Sequence, residues 1–275
     1  MPVISASYDR LSAVLPALRI SADPPRSGPG WIGAAQIAAG GPALAAFVAR
    51  DTERLAREHG RAPRPDVAAT LALHRYLWPV CLLFTVPWFL QRRVPRLTVR
   101  DVSLHPGRGQ LTALPPTFDC LPDDPAADLP GARPAASPAA LRDQLRTAVA
   151  EHAEPVLAAF RPLVRRGPRA LWGLVTDEVA EGLWFAGRLL GEEQRAVAEL
   201  EALLPGDTPP LSGAAGFHRG DDGPSCRAVG GPAAAGATRT RLTCCLYYTL
   251  SPADACAGCP RTDGAGRIGR RSDAA

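Results

Sequence analysis

The chain has 275 residues, enough to bury a large core in one domain or two closely packed ones. All 31 basic residues are arginine, and the formal net charge is only +4. So mild a balance, with no basic patch studded with aromatics, excludes nucleic acid as an expected partner. The abundance of Arg, Ala, 29 Pro and 26 Gly reads as codon bias in a GC-rich genome.

Residues 1–19 have no basic leader and no continuous apolar run, because Asp9 and Arg10 interrupt them. A reducing cytoplasm is the expected setting, with transient contact at the inner membrane surface allowed by an aromatic stretch described below. Residues 4–19 read as an amphipathic helix, with Leu11, Leu15 and Leu18 at helical spacing. After a Pro/Gly break at 23–30, residues 31–59 are helical and interrupted near Gly40-Gly41-Pro42.

From Asp66 to Arg92, Val67, Leu71, His74, Leu77, Trp78 and Cys81 recur at three and four residues and mark one apolar face. A single histidine on such a face reads first as a hydrogen-bonded core residue. The stretch 77–90 is the best candidate for a membrane span. At fourteen residues, with Pro79 and Pro87 inside it, it falls short of the ~20 that spanning takes. It is expected to be a core helix, and no transmembrane segment is expected; Trp78, Phe84, Trp88 and Phe89 could touch a membrane surface.

Residues 97–104 alternate in two phases, and the slip at Arg100-Asp101 predicts a bulge. With a turn at 105–109 and a second strand at 110–114, they predict one hairpin laid on helices. Residues 121–136 have linker composition. Ser137-Pro138 then opens a helix, Ser as N-cap and Pro at the first helical position. Pro155 and Pro162 are expected to kink or split it. A further helical block, 169–204, is divided near Gly191-Glu192-Glu193.

The fold class is therefore mainly α with a small β-hairpin (α+β). The expected organisation is an N-terminal region, 1–120; a second helical region, 137–204; a flexible loop, 205–238; a cysteine-rich segment, 239–260, packed on the helical body; and a disordered tail, 261–275. The glycine-rich stretch 213–220 lacks a strand–helix context and carries little weight. No dinucleotide fingerprint or P-loop is present, so the chain has no nicotinamide or flavin site of its own.

The chemistry sits at the end. Cys244-Cys245, ten intervening residues, and Cys256-Ala-Gly-Cys259 place four of the seven cysteines within sixteen residues. Four thiolates suit a [2Fe–2S] cluster, with a structural zinc ion as the second reading; disulfides do not fit a reducing compartment. Zinc sites usually come as two separated Cys-x2–4-Cys pairs, whereas this first pair is vicinal. Cys81, Cys120 and Cys226 lie apart and are expected to be dispensable to the metal.

The run Arg241-Leu242-Thr243-Cys244-Cys245-Leu246-Tyr247-Tyr248, closed by Cys256-Ala257-Gly258-Cys259-Pro260, resembles the C-terminal motif of the siderophore-iron reductases of the FhuF type. Over residues 60–205 only the order of elements looks alike, and Cys226 with its loop departs from the pattern. The resemblance implies that Cys244, Cys245, Cys256 and Cys259 ligate a [2Fe–2S] cluster and that the protein reduces ferric siderophores, hydroxamates first. Without a nucleotide site, the electron must come from outside, from a ferredoxin or a flavin reductase. Arg239, Arg241, Tyr247 and Tyr248 are the expected substrate-binding residues, with the chelate pocket placed where they meet the Trp172–Trp184 block; Arg261 follows the second pair. The competing class is a non-catalytic module: an electron carrier, an iron sensor or a zinc-stabilised domain.

Overall fold

The computed structural model describes residues 2–218, 237–251 and 258–261. Its order begins α1 (Pro2–Val14), β1 (Arg19–Ser21), β2 (Ile32–Gly33), α2 (Ala34–Ala38), α3 (Gly41–His59) and α4 (Pro65–Gln91). Four short strands follow, β3 (Val94–Arg96), β4 (Val102–His105), β5 (Gln110–Ala113) and β6 (Thr117–Cys120), then β7 (Ala132–Pro134). Helices α5 (Pro138–Phe160), α6 (Pro168–Leu189) and α7 (Glu193–Leu203) complete the body, and β8 (Phe217–His218) pairs with β9 (Thr238–Arg239).

Helix α4 is the axis of the molecule. Helices α1, α3, α5 and α6 all pack on it. Burial extends well beyond the expected single apolar face: Leu73, Tyr76, Val80, Leu83 and Phe84 are as buried as Val67 and Leu77, while a strip at Leu71, His74, Arg75 and Trp78 is more open. By length and composition α4 passes as a membrane span, yet 78% of its apolar window lies inside the protein. One continuous apolar core runs from Ile4 on α1 to Ala215 beyond α7, and the two expected helical regions share it.

Boundaries follow local chemistry. Gly60, at φ +69°, closes α3 in the left-handed conformation. The Ser137 hydroxyl accepts from the Ala140 N–H at 3.1 Å and caps α5. Helix α5 runs unbroken through Pro155, against the expected kink there, because buried Leu145, Val149 and Val156 hold it on both sides of the missing donor. It ends instead in a 3-10 turn at Arg161–Leu163, where Pro162 sits.

The hairpin is β4–β5, but it belongs to a four-stranded sheet, β1-β5-β4-β2; a second sheet is ordered β3-β6-β7. The parallel pairs β1/β5 and β6/β7 bring in β1 and β7, segments of three residues each, too short to carry a periodic signal. The expected bulge at Arg100-Asp101 is a turn: the Asp101 carboxylate accepts from the Thr98 N–H and O–H, both at 2.7 Å. The linker-like stretch 121–136 contributes β7 and buries Ala126 and Ala135. Of the expected flexible loop, the described part up to His218 is packed, with Leu211 and Ala215 in the core.

Candidate metal centre

Helix α6 carries Asp177, Glu178 and Glu181 within an otherwise apolar run, and the first two are wholly buried. Carboxylates in that position demand partners. They find them in the segment that precedes the cysteines. Arg239 donates to Asp177 Oδ1 at 2.6 Å, to Glu181 Oε1 at 2.8 Å and to the Ala215 carbonyl at 2.6 Å. Arg241 donates to Glu178 Oε1 at 3.0 Å. The Asp177 carboxylate also takes the Leu242 N–H at 2.9 Å, the Thr243 N–H at 2.8 Å and the Thr243 hydroxyl at 2.7 Å. One aspartate thus fixes the backbone immediately before Cys244.

Two glycines make room for this segment. Gly216 sits at φ +74°, and a Cβ there would lie 2.6 Å from the Thr240 carbonyl oxygen. On α6, a Cβ at Gly173 would lie 2.8 Å from the Thr243 methyl. The glycine-rich stretch given little weight above is the saddle on which the strand before the cysteines rests.

The thiols then follow. Cys244 and Cys259 bring their sulfurs to 3.9 Å. Two thiolates on one tetrahedral metal with ~2.3 Å bonds stand about 3.8 Å apart, so this pair has the spacing of ligands to one ion. The Leu246 N–H points at Cys244 Sγ from 3.4 Å, and Arg166 donates to the Cys244 carbonyl. Burial holds the Cys244 thiol above its ordinary range while it carries a proton, and neighbouring Cys259 adds to this. Metal binding would remove that proton. Among the described residues no three His, Cys, Asp or Glu side chains close on one point. Cys256, the expected fourth ligand, and Cys226 lie outside the described residues. The donor set fits a cluster: sulfur ligands and a backbone N–H directed at sulfur.

His74, from α4, joins the body to the site. Its imidazole hydrogen-bonds Cys245 and places Nδ1 2.8 Å from Glu178 Oε1. Burial is the largest influence and works against the imidazolium, but the Glu178 carboxylate and the hydrogen bond to Cys245 together overcome it and lift the pKa to about 9, with Arg241, 2.7 Å from Nε2, opposing. The charge set explains the direction: three carboxylates face two guanidinium groups, leaving one negative charge for His74 to meet. The core reading of this histidine is thus incomplete, since it touches a cysteine of the motif.

Of the expected substrate residues, Arg239 is 0% exposed and Arg241 is nearly as enclosed, so both anchor the segment and neither is free to steer an anion. Tyr247 stands edge-on to His59 at 5.5 Å, and Arg261 lies over the Tyr248 ring at 4.9 Å. Over residues 239–250 the chain is not a continuous strand: β9 is two residues long and gives way to turns and a 3-10 turn at Tyr247–Thr249. Asp177, Glu178 and Arg166 escaped the sequence reading. Buried-looking carboxylates inside an apolar helix were the available signal. Cys81 is buried in the core, its thiol pushed well above the ordinary range by burial, and Cys120 is likewise buried.

Residues 241–261 match the family described as the FhuF 2Fe-2S C-terminal domain. A search of curated proteins finds no match. The match covers the short cysteine segment from Arg241 to Arg261, and it supports a [2Fe–2S] cluster as the cofactor: over this segment the chain is similar to the FhuF 2Fe-2S C-terminal domain.

Proposed function

We propose that this protein is a cytoplasmic ferric-siderophore reductase. The observation that carries the reading is the match of residues 241–261 to the FhuF 2Fe-2S domain. Cys244, Cys245, Cys256 and Cys259 would hold the cluster, which supplies one electron at a time when bound. Chelated Fe(III) needs one electron to become Fe(II). Hard oxygen donors such as hydroxamates hold Fe(III) tightly and Fe(II) weakly, so one electron turns a tight chelate into a labile one. No bond to the ligand need be broken.

The chain's own residues do the positioning. Asp177 and Glu178 fix the segment before Cys244, and the Leu246 N–H meets the Cys244 sulfur. His74 holds Cys245 against α4. A ferredoxin or a flavin reductase is the donor that suits a chain without a dinucleotide motif.

The test is anaerobic stopped-flow oxidation of the reduced, cluster-loaded protein by ferric hydroxamate siderophores. Reoxidation well above the rate in buffer is expected. If no ferric siderophore reoxidises it faster than buffer, an electron carrier or iron sensor takes the place of the reductase. A colourless preparation that holds zinc and no iron would instead mark a structural zinc site.

A further inference from the structure

A cavity of about 670 Å3 opens between α3, α4 and the β4–β5 turn, within the ~300–1,000 Å3 range of small-molecule sites. Its walls are mostly apolar and aromatic, with Phe47, Leu71, Trp78, Leu111 and Phe185 among them. Trp78 and Phe185 meet edge to face at 5.8 Å. Two lining residues tie it to the metal centre. His74 lines the cavity and hydrogen-bonds Cys245; Tyr247 lines it from two positions beyond the same cysteine. A third, His105, at the end of β4, is nine-tenths buried, and its Nδ1 has no hydrogen-bond partner among the described residues.

We propose that this cavity is where the ferric chelate binds, one side chain away from a cluster cysteine; the proposal rests on the reductase reading above and replaces the pocket expected at the Trp172–Trp184 block. The apolar walls would take the body of the chelate, and His105 would supply a hydrogen bond to an oxygen or amide of the ligand. The charge pattern narrows the ligand. Arg54 is held by Asp51 at 3.0 Å and by Glu58 at 2.5 Å, and Arg75 is held by Asp51 at 2.6 Å. The two lining guanidinium groups, Arg54 and Arg75, thus already have carboxylates, so neither is left to neutralise a trianionic complex. The cavity suits a near-neutral chelate with an apolar frame. In the reaction one electron passes from the reduced protein to the chelated Fe(III), which leaves as Fe(II), and no bond to the protein forms.

The binding test uses the oxidised holoprotein and a gallium(III) trihydroxamate, which has the charge and shape of the ferric complex but accepts no electron. Calorimetric titration is run on wild type, on Ala17→Trp, which fills the cavity from an exposed lining position, and on His105→Phe, which keeps a ring but removes Nδ1. An unchanged visible spectrum certifies fold and cluster in each variant. Both variants should bind at least about tenfold more weakly, the loss of roughly one good contact, and a trianionic gallium tris-catecholate should bind wild type more weakly by a similar factor. No binding to wild type, or equal binding by spectrally intact variants, overturns the proposal. Stopped-flow oxidation by the ferric complex separates the two readings. Gallium binding without reoxidation by the ferric complex sinks the reductase and keeps the site; variants reoxidised like wild type at every chelate concentration sink the site and keep the reductase.

Discussion

Asp177 and Arg239 meet at 2.6 Å with neither side chain reaching solvent, and the same carboxylate receives both backbone N–H groups that precede Cys244. This one residue on α6 converts a glycine- and arginine-rich stretch into a seat for the cysteines. Asp177→Asn would leave Arg239 short of a partner and turn an amide N–H toward other donors. Breaking a buried pair of this kind costs about 3–5 kcal/mol. The cost should fall on the segment more than on the helical body. Iron release to a chelator is expected to accelerate while helical circular dichroism stays unchanged; an unaltered release rate would contradict this role.

The cysteines divide into two groups. Substituting Ser for Cys244, Cys245, Cys256 or Cys259 should bleach or destabilise the visible chromophore, because an alkoxide suits cluster iron less well than a thiolate. Cys81→Ala and Cys120→Ala should keep iron, sulfide and spectrum, since both thiols are buried away from the motif and behave as small apolar groups. Full iron and sulfide content in Cys256→Ser would remove that residue from the ligand set.

Gly216 offers a backbone test. Its φ of +74° and the 2.6 Å that would separate a Cβ from the Thr240 carbonyl leave an alanine no room. The left-handed conformation alone costs an alanine about 1–2 kcal/mol. Gly28, at φ +112° with nothing within 4 Å, has strain without the clash. Gly216→Ala should lower cluster retention on gel filtration and Gly28→Ala should not; equal retention would show that the saddle is not needed.

His152 sets an acid limit on stability. It is buried against Tyr76 and Phe84, with Tyr76 donating to Nε2 at 2.8 Å and Nδ1–H donating to the Leu97 carbonyl at 3.2 Å. Burial drives its pKa down to about 4 from 6.5. Between those values the unfolded chain binds the proton and the folded one does not. Stability from this residue is complete above pH 6.5 and falls as pH drops toward 4, by about 3 kcal/mol in all. His152→Gln keeps both hydrogen bonds without titrating. The difference in unfolding free energy between variant and wild type should therefore move in the variant's favour across that window, measured by urea denaturation at stepped pH. A difference independent of pH would refute the burial of a neutral ring.

The sequence by itself settled the elements that rest on local chemistry, helices α3 to α7 by apolar spacing and proline or glycine punctuation and the β4–β5 hairpin by its turn, and it pointed to the candidate metal segment by the spacing of four cysteines. These signals are short-range, and each is complete within some twenty residues. Tertiary structure decided the rest. Strands of two or three residues, such as β1 beside β5, exist because a distant neighbour completes their hydrogen bonds. Arg239 and Arg241 looked like surface cations near a redox centre. Only the packing of α6 shows that Asp177 and Glu178 claim them, because a charge taken out of water must be paired by whatever the fold brings to it. His74 looked like one more position on an apolar stripe, and its meeting with Cys245 spans some 170 residues of chain. Contacts of that reach leave no period in a sequence; they are set when α4 and α6 bury their shared face and leave the cysteines at its edge.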